Sequence, residues 1–313
     1  CADSAAEWAA KRRVEKYDMK RIIPVMLVLV LVPAMAFGAV IVDDSWADAD
    51  RANTGPLQAD WWSSSSTSGN SVEDGVAGEL GLVTGTSGRG LHATFAPQNL
   101  SIGDSLVATI TFTTPQTIGV NKGGAFRFAL MDFNNPGLAA DLSSSSSSVN
   151  PLYTNLPGFM SDFDVNTDAA ADTSLREHIV PNALGRFLGT TSEWDQTSTG
   201  PDSGYTFLSN TEYVVVLSVL RTGAGTMDMF SSLSQGGTLL SSHTDSNDLA
   251  LSNNFGMLGI WANSNVFGST TASDPDNGIT LTNAKVEYFA IPEPSTLALL
   301  LGGLVLGVLR RRK

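Results

Sequence analysis

Cleaving a glycosidic bond takes two carboxyl groups facing one cleft, and alternate positions of a β-strand deliver side chains to the same face. The nearest arrangement in this chain is Glu193-Trp194-Asp195-Gln196-Thr197-Ser198. Ser198 stands where a third acid would complete the set, and the segment sits among turn formers. The other glutamates of the region (Glu73, Glu79, Glu177, Glu212 and Glu287) are scattered. Asp162-x-Asp164-x-Asn166-x-Asp168 sets four oxygen ligands at alternate positions, as a loop wrapping calcium does. Thr167 takes the place of a turn glycine and Thr173 that of a bidentate glutamate, so a calcium site and a solvated acidic loop both stay open. His92, His178 and His243 lie far apart and share no metal-ligand spacing. No serine stands in a nucleophile-elbow pattern.

Sugar recognition would use exposed indole faces, on which the C–H bonds of a pyranose stack while nearby amides and carboxylates take the hydroxyls. Trp194, between two acids, is the first candidate platform. In an extended Trp61-Trp62 pair one ring points to each side, which makes Trp62 the second candidate.

The elements that must carry these residues read as β throughout. Leu106, Ala108, Ile110 and Phe112 alternate with Val107, Thr109, Thr111 and Thr113, giving one core face and one Thr-rich face. Phe126, Phe128 and Leu130 alternate with Arg127 in the same way. The stretch 213–220 is apolar on both faces, as expected of a central strand. The glycines of Arg221-Thr222-Gly223-Ala224-Gly225 then predict a hairpin into 226–230. The stretches 256–261 and 279–289 read as closing strands. Serine tracts at 63–66 and 143–148 read as low-complexity loops. No apolar 3.6-residue period lasts three turns, so the expected fold is all-β, an antiparallel sandwich of jelly-roll size.

Residues 19–38 carry Lys20 and Arg21, an apolar run and small residues at Ala34, Ala36 and Gly38, the pattern of a cleaved secretory signal peptide. This reading starts the protein at Met19 and treats 1–18 as an upstream extension wrongly joined to it. The 313-residue chain has a net charge of −13, and residues 39–290 hold 26 acids against 8 bases. That balance argues against a nucleic-acid partner, which needs clustered cations. Cys1 is the one cysteine, so a domain at 39–290 folds without disulfides.

The chain ends in Pro292-Glu293-Pro294, fifteen apolar or small residues, and Arg310-Arg311-Arg312-Lys313. Fifteen residues fall short of the roughly 20 of an untilted spanning helix, but terminal arginines can snorkel and lengthen it. The cations would stay cytoplasmic. These three parts, in this order, resemble the PEP-CTERM sorting signal. That resemblance covers 291–313 and implies a single transmembrane helix, an exosortase partner, inner-membrane anchoring before processing, and delivery to the cell surface or extracellular matrix. It also implies a Gram-negative bacterium that makes exopolysaccharide and biofilm, with extracellular polysaccharide as a further partner. The opening 43–51 segment, the 126–134 strand and a closing strand running into the signal make 39–290 resemble a concanavalin A or laminin-G type of jelly roll. The expectation is an exported, non-catalytic surface protein able to bind glycans; the alternative is an extracellular carbohydrate-active enzyme of the same fold class.

Overall fold

Alternation in the sequence becomes alternation in burial. The computed structural model describes residues 37–64, 72–84, 88–119, 126–133, 136–142, 150–164, 173–178, 185–200, 205–268 and 278–291. The strands are β1 (Phe37–Asp44), β2 (Asp60–Ser63), β3 (Val72–Glu73), β4 (Leu80–Leu82), β5 (Arg89–Asn99), β6 (Ser105–Thr113), β7 (Phe126–Met131), β8 (Gly158–Phe163), β9 (Thr173–His178), β10 (Trp194–Thr199), β11 (Glu212–Arg221), β12 (Thr226–Gln235), β13 (Thr238–Leu249), β14 (Asn254–Ala262) and β15 (Ile279–Ala290). They form two sheets, ordered β13-β12-β11-β6-β15-β4-β3 with β1 beside β15, and β10-β9-β8-β7-β14-β5-β2. The pairings among β2 to β15 are antiparallel. The chain is therefore an all-β antiparallel sandwich, and the compact unit is Gly38–Ala290.

On β6 the buried residues are Leu106, Ala108, Ile110 and Phe112, as the period of two requires. Across the sandwich Phe112 stacks on Phe126 of β7 with ring centroids 4.6 Å apart, so aromatic faces join the two sheets. The β11–β12 hairpin turns at the expected glycines. β11 differs from the expectation of two buried faces: Tyr213, Val215, Leu217 and Val219 are buried, while Val214 and Val216 are half-exposed. It is central in hydrogen bonding but covered on one face only.

β7 is buried on both faces although it carries Arg127, and its neighbour β8 is buried on both faces as well. Phe126, Phe128 and Leu130 enter the core between the sheets. Ala129 and Met131 enter a second core, where Leu138, Tyr153, Leu156, Phe187, Leu188 and Trp194 cover Met160 of β8 and Met257 of β14. The outer face of the seven-stranded sheet is thus roofed by the segments 136–142, 150–157 and 185–194.

Near the start of the unit, the buried Asp44 carboxylate accepts from the Trp46 and Ala59 amides and from Trp61 Nε1. Burial raises its pKa. Ser63 and Ser64, read as part of a loop, are buried at the end of β2; the tract at 143–148 lies outside the described residues. So do 19–36 of the expected signal peptide and 292–313 of the tail, and β1 begins at Phe37. Among the described residues no helix is long and apolar enough to cross a membrane.

Candidate functional site

Asp162, His178, Glu193 and Trp194 come to the roofed face of the seven-stranded sheet, where each is held by partners of the protein itself. Cross-strand register sets Trp261, Arg127, Asp162 and Ser174 in one row over β14, β7, β8 and β9. Arg127 Nε donates to Asp162 Oδ1 at 2.9 Å, and its Nη1 donates to the Leu188 carbonyl at 2.6 Å. The same guanidinium lies 4.6 Å from the Trp261 ring centroid, a cation–π contact in a site largely closed to water. From the next strand, Arg176 Nε sits 3.2 Å from Asp162 Oδ2, though without hydrogen-bond alignment.

Asp162 is 2 % exposed and both of its oxygens face guanidinium groups. A calcium ion at this carboxylate would have to displace two cations, so Asp162 does not fit the calcium loop expected from the sequence. Asp164 is half-buried at the end of β8; Asn166 and Asp168 lie outside the described residues. Among the described residues no group of three or more histidines, cysteines or acids is placed to hold a metal.

The Glu-x-Asp pair is likewise dispersed. Trp194–Thr199 is a strand, where the sequence suggested turn formers. Glu193, just before it, is buried, and its Oε2 accepts from the Gly185 and Arg186 amides at 2.9 and 3.1 Å. This carboxylate ties both ends of the loop 185–193, while Asp195 is exposed on the strand. Beside Glu193, His178 Nδ1 donates to the Leu156 carbonyl at 2.8 Å, and its Nε2 is 3.9 Å from Glu193 Oε2. Burial is the main cause that lowers the His178 pKa. Trp194, expected as an open platform, packs 4.7 Å from the His178 ring and donates its indole N–H to the Phe187 carbonyl. At 3 % exposure it belongs to the second core.

Trp62 remains. Trp61 is buried against Trp46 with centroids 5.4 Å apart, and Trp62 is half-buried on the opposite face of β2. The Arg51 guanidinium lies 6.0 Å from the Trp62 ring and is held by a two-toothed ion pair to Asp141. The expected split of the tandem tryptophans therefore occurs. Sequence reading missed the two arginines that claim Asp162; the available signal was Arg127 itself, one cation inside an otherwise apolar strand.

The decisive comparison concerns the end of the chain. Residues 290–313 carry the PEP-CTERM protein-sorting motif. The PEP-CTERM match includes Pro292-Glu293-Pro294 and Arg310-Arg311-Arg312. No curated protein matches the chain in sequence. Among solved structures, the unit is similar to an endo-1,3-β-glucanase from Streptomyces sioyaensis, at 12 % identity over 81 % of this chain and 97 % of that one, with a TM-score of 0.47. It is similar to the metal-free form of lectin I-B4 from Griffonia simplicifolia, at 13 % identity over 79 % of this chain and 99 % of that one, with a TM-score of 0.44. An alginate lyase in complex with an alginate tetrasaccharide gives 9 % identity, 80 % and 94 % coverage, and a TM-score of 0.43.

Proposed function

We propose that this protein is exported, handed to an exosortase at the inner membrane through its PEP-CTERM tail, and displayed at the cell surface or in the extracellular matrix as a non-catalytic, glycan-binding β-sandwich. The observation that carries the sorting is the motif at 290–313, with its Pro-Glu-Pro triplet, apolar run and terminal arginines in order. A polar triplet ahead of a short hydrophobic stretch gives a membrane enzyme an extended, accessible segment beside the bilayer. The arginines orient that stretch with its end in the cytoplasm.

Two features support a binding module over an enzyme. Of the candidate acid pair, Glu193 is spent on the Gly185 and Arg186 amides while Asp195 stands exposed on β10, and the calcium candidate Asp162 is spent on arginines. Trp62 is half-buried beside Arg51, and an aromatic ring at a polar surface can stack sugar rings without cleaving them.

The test is fractionation of the producing bacterium. Removing residues 291–313 is expected to move the protein from the membrane to the periplasm or medium. Replacing Pro292, Glu293 and Pro294 by alanine should leave a membrane-bound precursor of full length. A truncated protein still in the membrane, or normal processing of the alanine variant, would refute the sorting role.

A further inference from the structure

The first and last strands of the sandwich unit lie side by side. At one end of the pair, a Cβ on Gly38 of β1 would lie 2.9 Å from the Phe289 ring of β15. At the other, Asn283 Nδ2 of β15 donates to Asp43 Oδ1 and to the Asp44 carbonyl. β1 therefore starts where β15 stops, and the chain enters and leaves the unit at one end of the eight-stranded sheet. Three turns complete that end: 100–104 between β5 and β6, 222–225 between β11 and β12, and 250–253 between β13 and β14. They are bonded to one another. The Gly103 amide donates to the Arg221 carbonyl, the Ala250 amide to the Gly225 carbonyl, and the Leu100 amide to the Asn253 carbonyl. Arg221 also donates from its guanidinium to the Leu100 and Gly223 carbonyls, and the Tyr288 hydroxyl of β15 donates to Asp104 at 2.5 Å. A surface tied at so many points loses little freedom when it meets a partner.

What these turns show to solvent is aliphatic. Ile102 is 62 % exposed and Leu251 56 %, and Val40 and Leu220 are exposed on the strands behind them. The charged side chains within 38–40, 100–104, 220–226 and 250–253 are Asp104 and Arg221, one of each sign. Carboxylates that reach these turns from the other sheet are engaged there: Glu177 accepts from the Leu251 amide, and Asp132 accepts from Ser252 and Asn254. Asp228 stands one row back, across from Leu220. The tips thus bring aliphatic area and no net charge, and such side chains gain by entering the boundary between lipid headgroups and acyl chains.

Chain length names the occupant. Six residues, 291–296, separate the end of β15 from Leu297, where the large apolar residues of the tail begin. Fully extended, that stretch reaches about 25 Å, whereas the 12-residue β15 is itself about 40 Å long. With the tail in a bilayer, the end bearing Ile102 and Leu251 is the one kept within that reach of lipid. So short a tether makes docking intramolecular, and a few apolar contacts then suffice. We propose that this end of the sandwich is a membrane-docking face, seated on the phospholipid surface while the tail is attached. The inference rests on the sorting reading above, in which the tail occupies the bilayer before processing.

The experiment is fluorescence quenching in vesicles of phosphatidylethanolamine and phosphatidylglycerol that carry nitroxide lipids. The full chain, with Cys1→Ser so that the label is unique, takes a bimane at Ile102→Cys, Ala224→Cys or Leu251→Cys. A fourth label goes on Leu208→Cys, an exposed leucine before β11 at the opposite end. Quenching is expected at 102, 224 and 251 and not at 208. Adding Ile102→Asp and Leu251→Asp to the chain labelled at 224 should abolish its quenching; both positions are exposed, and a thermal melt establishes that the variant folds. Equal or absent quenching at the two ends overturns the docking face and leaves the anchoring by the tail in place. Quenching at 224 that survives both aspartates does the same. A chain that fails to float with the vesicles overturns the anchoring and the docking together.

Discussion

At the scale of single residues, the informative groups are buried and titratable. His92 Nε2 lies 2.6 Å from the Leu138 carbonyl, which can only accept, so Nε2 carries the proton and Nδ1 faces the Tyr153 hydroxyl at 3.4 Å. Full burial pushes its pKa down to about 4, against opposing pulls from Leu138 and Asp141. The unfolded chain therefore takes up this proton first. The associated stability is present above about pH 6.5 and is lost as pH falls to about 4; a shift of that size corresponds to about 3 kcal/mol. Chemical denaturation from pH 7 to pH 4 should show this loss, and His92→Gln should flatten it; an unchanged slope would refute the assignment. Asp162 offers a second test. Asp162→Asn leaves Arg127 and Arg176 buried without their counter-charge and should cost about 3–5 kcal/mol, whereas replacing all three by Met, Leu and Met should cost much less. Melting curves of the two variants decide between an ion triad and a packing role.

At the scale of elements, the roof over the seven-stranded sheet is held by loops that lock one another. Gly185 has φ +84°, its carbonyl accepts from the Asn150 amide at 2.9 Å, and a Cβ on it would stand 2.1 Å from the Asn150 oxygen. Gly185→Ala should therefore destabilise by about 2 kcal/mol or more and open both 150–156 and 185–193 to limited proteolysis; protease resistance equal to the native chain would contradict this. The same roof explains what sequence could and could not tell. β6, β12, β14 and β15 were legible because their apolar residues recur at period two or in unbroken runs. β10 and β13 were not, because polar residues fill them: Thr173 of β9 meets Ser241 of β13, and Ser198 of β10 meets His243 of β13 between the sheets. The second core was hidden for another reason. Leu138, Tyr153, Leu156 and Phe187 stand singly or in pairs among turn formers and share no period. Of the site residues, the split of Trp61 and Trp62 was readable from alternation alone. The fates of Trp194 and Asp162 were not, since a covering loop and two distant arginines decide them.

At the scale of the whole molecule, a large sandwich with two cores folds without covalent staples. Cys1 is the one cysteine of the chain, so the melting midpoint should be the same with and without reductant, and a drop on reduction would point to an intermolecular bridge. The hydroxyl contacts between the sheets have a further consequence for how copies of this chain meet. The hydrophobic driving force has no direction of its own, but a hydroxyl pair is directional and works at one alignment. Where β10 and β13 approach each other, Ser198 and His243 bind the outermost strands of the two sheets together. In a dense layer of molecules, strand rims are where neighbours tend to zip up. This flank is a sewn hem, so a neighbouring copy meets the two edge strands as one joined rim.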